Sequence, residues 1–178
     1  ILDPKTGQVL SMVGSKDYFG KTEPEGCIEG EGCIFEPNVN AALSLRQPGS
    51  ATKPVTYSKA LEKGYTANYT LLDVKTEFPG GDQPEYVPVN YDGQFHGLVQ
   101  VRYTLGNSYN IPAVKMLALV GVKEVLDLGY RMGLSSWEPT IENVNNVGLS
   151  LTLGGKEVRL LELTSTFAVF ANGGRQLD

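Results

Sequence analysis

Twenty-one glycines and ten prolines cut this 178-residue sequence into short pieces, so the chain must turn often. The first turn is Asp3-Pro4-Lys5-Thr6-Gly7, where proline presets one φ and glycine supplies a permissive backbone. It joins Ile1-Leu2 to Gln8–Gly14, whose side chains alternate as in a hairpin. Residues 15–49, rich in Gly, Pro and Glu, read as loop. Ser50–Lys63 reads as a helix stopped by Gly64, with Pro54 tolerable only in its first turn. Residues 73–96 are again loop-like. A helical block runs from about Gly97 to Gly133, punctuated by Gly106, Pro112 and Gly121. Glu157–Asn172 is the clearest helix: Val158, Leu160, Leu161, Leu163, Phe167 and Phe170 give it a wide apolar face, and Gly173 stands where a capping glycine belongs. A strand hairpin followed by helices predicts an α+β domain with an incomplete antiparallel sheet. No internal repeat or interdomain linker divides residues 1–178, which are read as one domain.

Several function classes drop out at once. Fifteen Lys and Arg against twenty Asp and Glu give a net charge of −5, without the basic stripe that a nucleic-acid surface needs. The longest apolar run, around Met116–Val122, is too short to cross a bilayer. Two cysteines and one histidine do not make a four-ligand Cys/His zinc site. Neither G-x-G-x-x-G after a strand nor G-x-x-x-x-G-K-[ST] occurs, so no nucleotide site is indicated and no cofactor is expected.

The strongest chemical feature is Arg46-Gln47-Pro48-Gly49-Ser50-Ala51-Thr52-Lys53-Pro54. Ser50 and Lys53 lie three apart at a helix start, on one face, with Cβ atoms about 5–6 Å apart. Serine is a poor nucleophile until a base takes its proton, and a lysine serves only if burial or another cation destabilises its ammonium. The free N–H groups of a helix start can also face an oxyanion. Taken alone, the same letters more often mark a helix cap followed by a surface lysine. The second feature is Ser108-Tyr109-Asn110, between two helical segments. It sets a hydroxyl beside a carboxamide, and taken alone it is also an ordinary turn in which Asn110 caps the next helix.

Together and in this order, the two motifs resemble those of penicillin-binding proteins and serine β-lactamases. The flanks narrow the resemblance to the transpeptidase domain of class A, bifunctional, penicillin-binding proteins. Asp3–Gly14 is similar to its opening hairpin and Arg46–Pro54 to its nucleophile segment. Tyr86–Tyr91, Gly97 and Ser108–Lys115 resemble its second-motif region. Leu153-Gly154-Gly155 and the helix ending Phe170-Ala171-Asn172-Gly173-Gly174 resemble the stretch before its third motif. The resemblance implies an acyl-enzyme formed on Ser50 from a D-alanyl-D-alanine stem peptide, with Lys53 as general base. Ser108 would pass a proton to the leaving amine, and Asn110 would hold Lys53 and the substrate amide. It implies peptidoglycan stem peptides and β-lactams as partners. It further implies an extracytoplasmic location and a membrane-anchored parent with an N-terminal glycosyltransferase domain.

The family's third motif, Lys-Thr-Gly, lies C-terminal to the other two. Lys5-Thr6-Gly7 spells it in the first hairpin turn, a coincidence of letters, and Lys156 before Glu157 does not fit either. The expectation is therefore a piece of a longer protein, with the motif beyond Asp178, an exposed sheet edge and little activity in isolation. Given an extracytoplasmic setting, Cys27 and Cys33 would close their Gly-rich loop as a disulfide, with free thiols the alternative. His96 reads as an exposed loop residue, Asn68-Tyr69-Thr70 as an idle sequon, and Tyr57 and Tyr65 as packing for the nucleophile helix. Two rivals remain. One is a serine β-lactamase using Glu138 or Glu142 to activate water. The other is a non-catalytic fold that binds cell-wall peptide.

Overall fold

The computed structural model describes residues 1–28, 30–79 and 85–177. They divide into two compact units, one made of residues 1–46, 132–134 and 158–178, the other of residues 47–131 and 135–157.

The first unit opens with the expected hairpin, reduced to a single bridge between Leu2 and Val9. Its turn is closed by Asp3, whose carboxylate accepts the Lys5 N–H and the Thr6 hydroxyl, with Gly7 at φ 74°. Those two bonds hold the Asp3 carboxyl below its usual range. Cys27 and Cys33 form the disulfide. Strand β1 (Leu45–Arg46) pairs antiparallel with β4 (Val158–Arg159), which leads directly into helix α6 (Leu160–Ala171). The helix expected from Glu157 thus begins three residues later, because Val158 and Arg159 are taken up by strand pairing. It ends as the sequence indicates: Gly173 has φ 65° and the Gly174 N–H reaches back to the Val169 carbonyl at 2.9 Å.

The second unit is mostly helical. A 3-10 turn, Gly49–Thr52, runs into α1 (Lys53–Glu62), with Pro54 in the first turn, where its missing N–H costs nothing. Strand β2 (Thr70–Asp73) pairs antiparallel with β3 (Gly97–Gln100), so the block expected to be helical from Gly97 starts as a strand. Helices α2 (Val101–Gly106), α3 (Asn110–Val120) and α4 (Val122–Arg131) follow, broken near Gly106 and at Gly121. Apart from Asn110 and Lys115 every residue of helix α3 is apolar, and Ile111, Ala113, Val114, Met116 and Leu117 are inaccessible to solvent. Such a helix belongs at the centre of a core, and α1, α4, β2 and the 3-10 segment Gly148–Leu153 pack around it. No described helix is long and apolar enough to cross a membrane.

The α+β class stands as expected. The sheet does not run as one: each unit holds a separate two-stranded antiparallel ladder.

Candidate active site

The site lies wholly within the second unit. Gly49 adopts φ 59° and starts the 3-10 turn that presents Ser50. A 3-10 helix has three residues per turn, so side chains at i and i+3 eclipse. Ser50 and Lys53 therefore share a face more closely than α-helical spacing predicts. The turn is fixed from behind by Gly148–Leu153. Thr52 Oγ1 donates to the Gly49 and Leu151 carbonyls at 3.1 and 3.3 Å, and Thr56 Oγ1 donates to Thr152 Oγ1 at 2.9 Å. Gly154 sits against the backbone of Gly49 so closely that a Cβ there would fall on the Gly49 N and Cα atoms.

Ser50 is exposed, whereas Lys53 is only 1% accessible. The Lys53 amine is held by the Ser-Tyr-Asn loop. Nζ donates to the Ser108 carbonyl at 2.6 Å, to Ser108 Oγ at 3.0 Å and to Asn110 Oδ1 at 2.7 Å. These three acceptors match the three protons of an ammonium. Burial works against the charge and pulls the Lys53 pKa down to about 8. About a tenth of the amine is then neutral at pH 7. None of the three bonds goes to Ser50.

Ser108 is the one described non-glycine residue with positive φ, 56°. A non-glycine side chain in that region costs about 1–2 kcal/mol. Here the conformation comes with both the carbonyl and the hydroxyl of Ser108 bonded to one amine. Asn110 opens α3. Its Nδ2 donates to the Val89 carbonyl at 2.7 Å, and its backbone N–H donates to Asn90 Oδ1 at 2.8 Å. Tyr57, on α1 beside the site, is buried, accepts the Thr104 hydroxyl at 2.8 Å and has its phenol pKa pushed up to about 12 by burial.

The penicillin binding protein transpeptidase domain matches this sequence over residues 1–178. The chain belongs to the penicillin-binding protein transpeptidase family. It is 35% identical to penicillin-binding protein 1A of Aquifex aeolicus over 98% of its length, and 34% identical to penicillin-binding protein 1A of Neisseria meningitidis over 99%. It spans about a fifth of the length of these relatives. Among solved structures, penicillin-binding protein 1A of Haemophilus influenzae is 30% identical, with a TM-score of 0.70 over 79% of this chain and 20% of that one. The fold also matches an acyl-enzyme complex of penicillin-binding protein A from Mycobacterium tuberculosis, at a TM-score of 0.74 and 22% identity over 97% of this chain and 45% of that one.

Of the four site residues read from the sequence, Lys53, Ser108 and Asn110 meet through hydrogen bonds and Ser50 stands on the turn before Lys53. The other motif letters go elsewhere. Lys5-Thr6-Gly7 is a turn of the first unit, and Lys156 Nζ is bonded to Asn143 Oδ1 at 2.6 Å. Glu138 and Glu142 have exposed side chains with no bond to any site residue. His96 corrects the sequence reading. It is not an exposed loop residue: its side chain is 24% accessible, lies between Asp73 and Asp92, and stacks on Tyr109. No motif pointed to Asp73 or Thr152. Asn90 and Gly154 were visible only as part of the family resemblance.

Proposed function

We propose that this chain carries the nucleophile-bearing part of a serine D-alanyl-D-alanine transpeptidase that cross-links peptidoglycan stem peptides and is acylated by β-lactams. The observation that carries the reading is the buried Lys53 amine held by both Ser108 and Asn110. A lysine so placed gives up its proton near neutral pH and can then accept one.

The reaction runs in two steps. Ser50 Oγ attacks the carbonyl carbon of the penultimate D-alanine and its proton passes to neutral Lys53. The C–N bond breaks, and the terminal D-alanine leaves with a proton relayed from Lys53 through Ser108 Oγ. The N–H groups at the start of the 3-10 turn face the developing oxyanion. An amine of a second stem peptide then attacks the ester, forms the amide and restores Ser50. Asn110 has two tasks: its Oδ1 holds Lys53, and its Nδ2 is the group that would turn to a substrate amide. A β-lactam follows the first step only, since its opened ring keeps the leaving amine in place. No metal or organic cofactor enters the scheme. The family setting supports a location outside the cytoplasm, in a longer, membrane-anchored protein with a glycosyltransferase domain.

Labelling with a fluorescent penicillin, followed by peptide mapping, tests this. The expected adduct lies on Ser50, and is lost in Ser50→Ala and in Lys53→Ala with the fold intact. An adduct on another residue overturns the assignment. Rapid turnover of a chromogenic cephalosporin through the same serine favours a β-lactamase instead. No adduct in a protein that also carries a Lys-Thr-Gly strand leaves the non-catalytic reading.

A further inference from the structure

The Ser-Tyr-Asn loop is held by a polar network that the catalytic scheme does not use. Asp73, at the end of β2, is completely buried. Its two carboxylate oxygens lie 3.0 and 2.8 Å from Asn90 Nδ2 and share one of its N–H groups, and the carboxylate accepts the backbone N–H of His96 at 3.1 Å. His96 Nδ1 lies 2.6 Å from the same carboxylate and Nε2 lies 3.1 Å from Asp92. Asn90 Nδ2 also donates to the Gln94 carbonyl at 2.8 Å. The other end of Asn90 points at the site: Oδ1 accepts the N–H groups of Asn110 and Ile111, at 2.8 and 3.3 Å. Helix α3 has no side-chain cap of its own from Tyr109, so Asn90 supplies one from another loop. The His96 ring stacks on Tyr109 at 3.9 Å and 17°, on the residue between Ser108 and Asn110. Lys115 completes the surroundings, bonded to the Leu72 carbonyl at 2.6 Å and within the field of Asp73.

We propose that Asp73, Asn90 and His96 form a positioning unit that holds Ser108 and Asn110 against Lys53, and so sets the basicity and reach of the general base. The proposal rests on the transpeptidase reading above. The physical argument is one of cost. An unpaired buried carboxylate is expensive, so Asp73 dictates where Asn90 and His96 sit. The Asn90 side chain has its donors and its acceptor engaged, leaving no slack between the carboxylate and the N–H of Asn110. Ser108 is meanwhile held in a backbone region it would leave if released. Remove the anchor and the loop relaxes, taking its three acceptors away from the amine. Asn90, Asp73 and His96 act through other residues and touch no reacting atom, so they are not catalytic residues.

The test measures the pH profile of penicillin acylation and the melting temperature for wild type, Asn90→Ala, Asn90→Asp, His96→Leu and His96→Asn, in protein carrying the complete transpeptidase domain. Asn90→Ala and His96→Leu are expected to lower the acylation plateau about 10- to 100-fold, the range for a catalytic group misplaced by about 1 Å. They should also move the inflection below that of wild type, as the ammonium loses acceptors. Asn90→Asp keeps an acceptor for the Asn110 N–H but turns an oxygen on Asp73 where Nδ2 donated, so it should recover nothing over Asn90→Ala, whereas His96→Asn keeps a donor for Asp73 and should recover part of the His96→Leu loss. A lower melting temperature with an unmoved inflection and plateau shows a merely structural role and overturns the proposal. Equal loss in His96→Leu and His96→Asn overturns the part assigned to the His96–Asp73 bond. If wild type itself is not acylated on Ser50, it is the transpeptidase reading that fails.

Discussion

Asn110→Asp is the sharpest probe of the base role proposed for Lys53. It replaces a neutral carboxamide with a carboxylate whose oxygen lies 2.7 Å from Lys53 Nζ. At an effective dielectric constant near 20, that attraction is on the order of 6 kcal/mol before the new carboxylate's own desolvation. What survives as a pKa change in such pairs is about 1–3 units. The sign is fixed: a neighbouring anion favours the ammonium, the form unable to take a proton from Ser50. The Lys53 inflection should rise from about 8 to roughly 9–11. Acylation at pH 7 then falls between about 10- and 1,000-fold, simply because less neutral amine exists. The substitution also turns the Asn110 Nδ2 donor to the Val89 carbonyl into an acceptor. That lowers stability and can lower the plateau, but it does not by itself displace the inflection. The assay is the second-order rate constant for a fluorescent penicillin, measured from about pH 6 to about pH 10.5. Recovery of rate at high pH is the expected signature. A uniform loss at every pH, with the inflection still near 8, would refute the claim that Asn110 governs Lys53 and would assign it to substrate binding alone.

Stability against pH offers a check that needs no substrate. Lys53 is folded with a pKa near 8 and unfolded near 10.5, so between these the unfolded chain holds a proton that the folded one has lost, and stability rises with pH. Tyr57 has its pKa raised from 10 to about 12, so stability falls above pH 10; denaturant titrations should show a maximum near pH 10, its rising limb absent in Lys53→Met and its falling limb absent in Tyr57→Phe. Gly154→Ala drives a methyl into the Gly49 backbone at φ 90°, and should cost about 1–3 kcal/mol while slowing acylation of the protein that remains folded. Gly129→Ala drives one into the Trp137 ring and should cost a similar amount with acylation of the folded fraction unchanged. Replacing Cys27 and Cys33 by serine removes a six-residue link worth about 2 kcal/mol at most, read as a lower melting temperature with Ser50 labelling intact.

The elements most legible in the sequence were those closed by local chemistry. Gly64 and Gly173 end their helices where glycine must, and Pro54 marks the first turn of α1. The strands were less legible. Val158-Arg159 and Gly97-Leu98-Val99-Gln100 become strands only because distant partners, Leu45-Arg46 and Thr70–Asp73, lie beside them. Nothing in their own spacing separates them from the first turn of a helix. The site divides along the same line. Ser50 and Lys53 are neighbours on one turn, so their spacing was readable. Asp73 looks like any acidic residue at the end of a short apolar run. Only the folded chain brings it to Asn90, seventeen residues on, and through Asn90 to Asn110.

That division carries a consequence for how the site is built. A serine and a lysine three residues apart are common and usually inert. What distinguishes this pair is that Lys53 is buried and its amine taken by acceptors from residues 55 and 57 positions away in sequence. Burial alone would expel or neutralise the lysine; the acceptors alone would keep it charged and useless as a base. A pKa near 8 needs both, in balance. The balance depends on Ser108 staying at positive φ, which it would not do unaided. Ser108→Gly and Ser108→Ala separate the two contributions. Both lose the hydroxyl and with it the proton relay proposed for it, so both should acylate slowly. Glycine adopts φ 56° without strain, whereas alanine keeps the penalty. The Lys53 inflection should therefore be alike in the two variants while the alanine form is less stable by about 1 kcal/mol, a difference that shrinks as glycine's extra unfolded-state entropy offsets it. A glycine variant less stable than the alanine one would show that the Ser108 conformation carries no strain, and that the loop is held by packing and not by its bonds to the base.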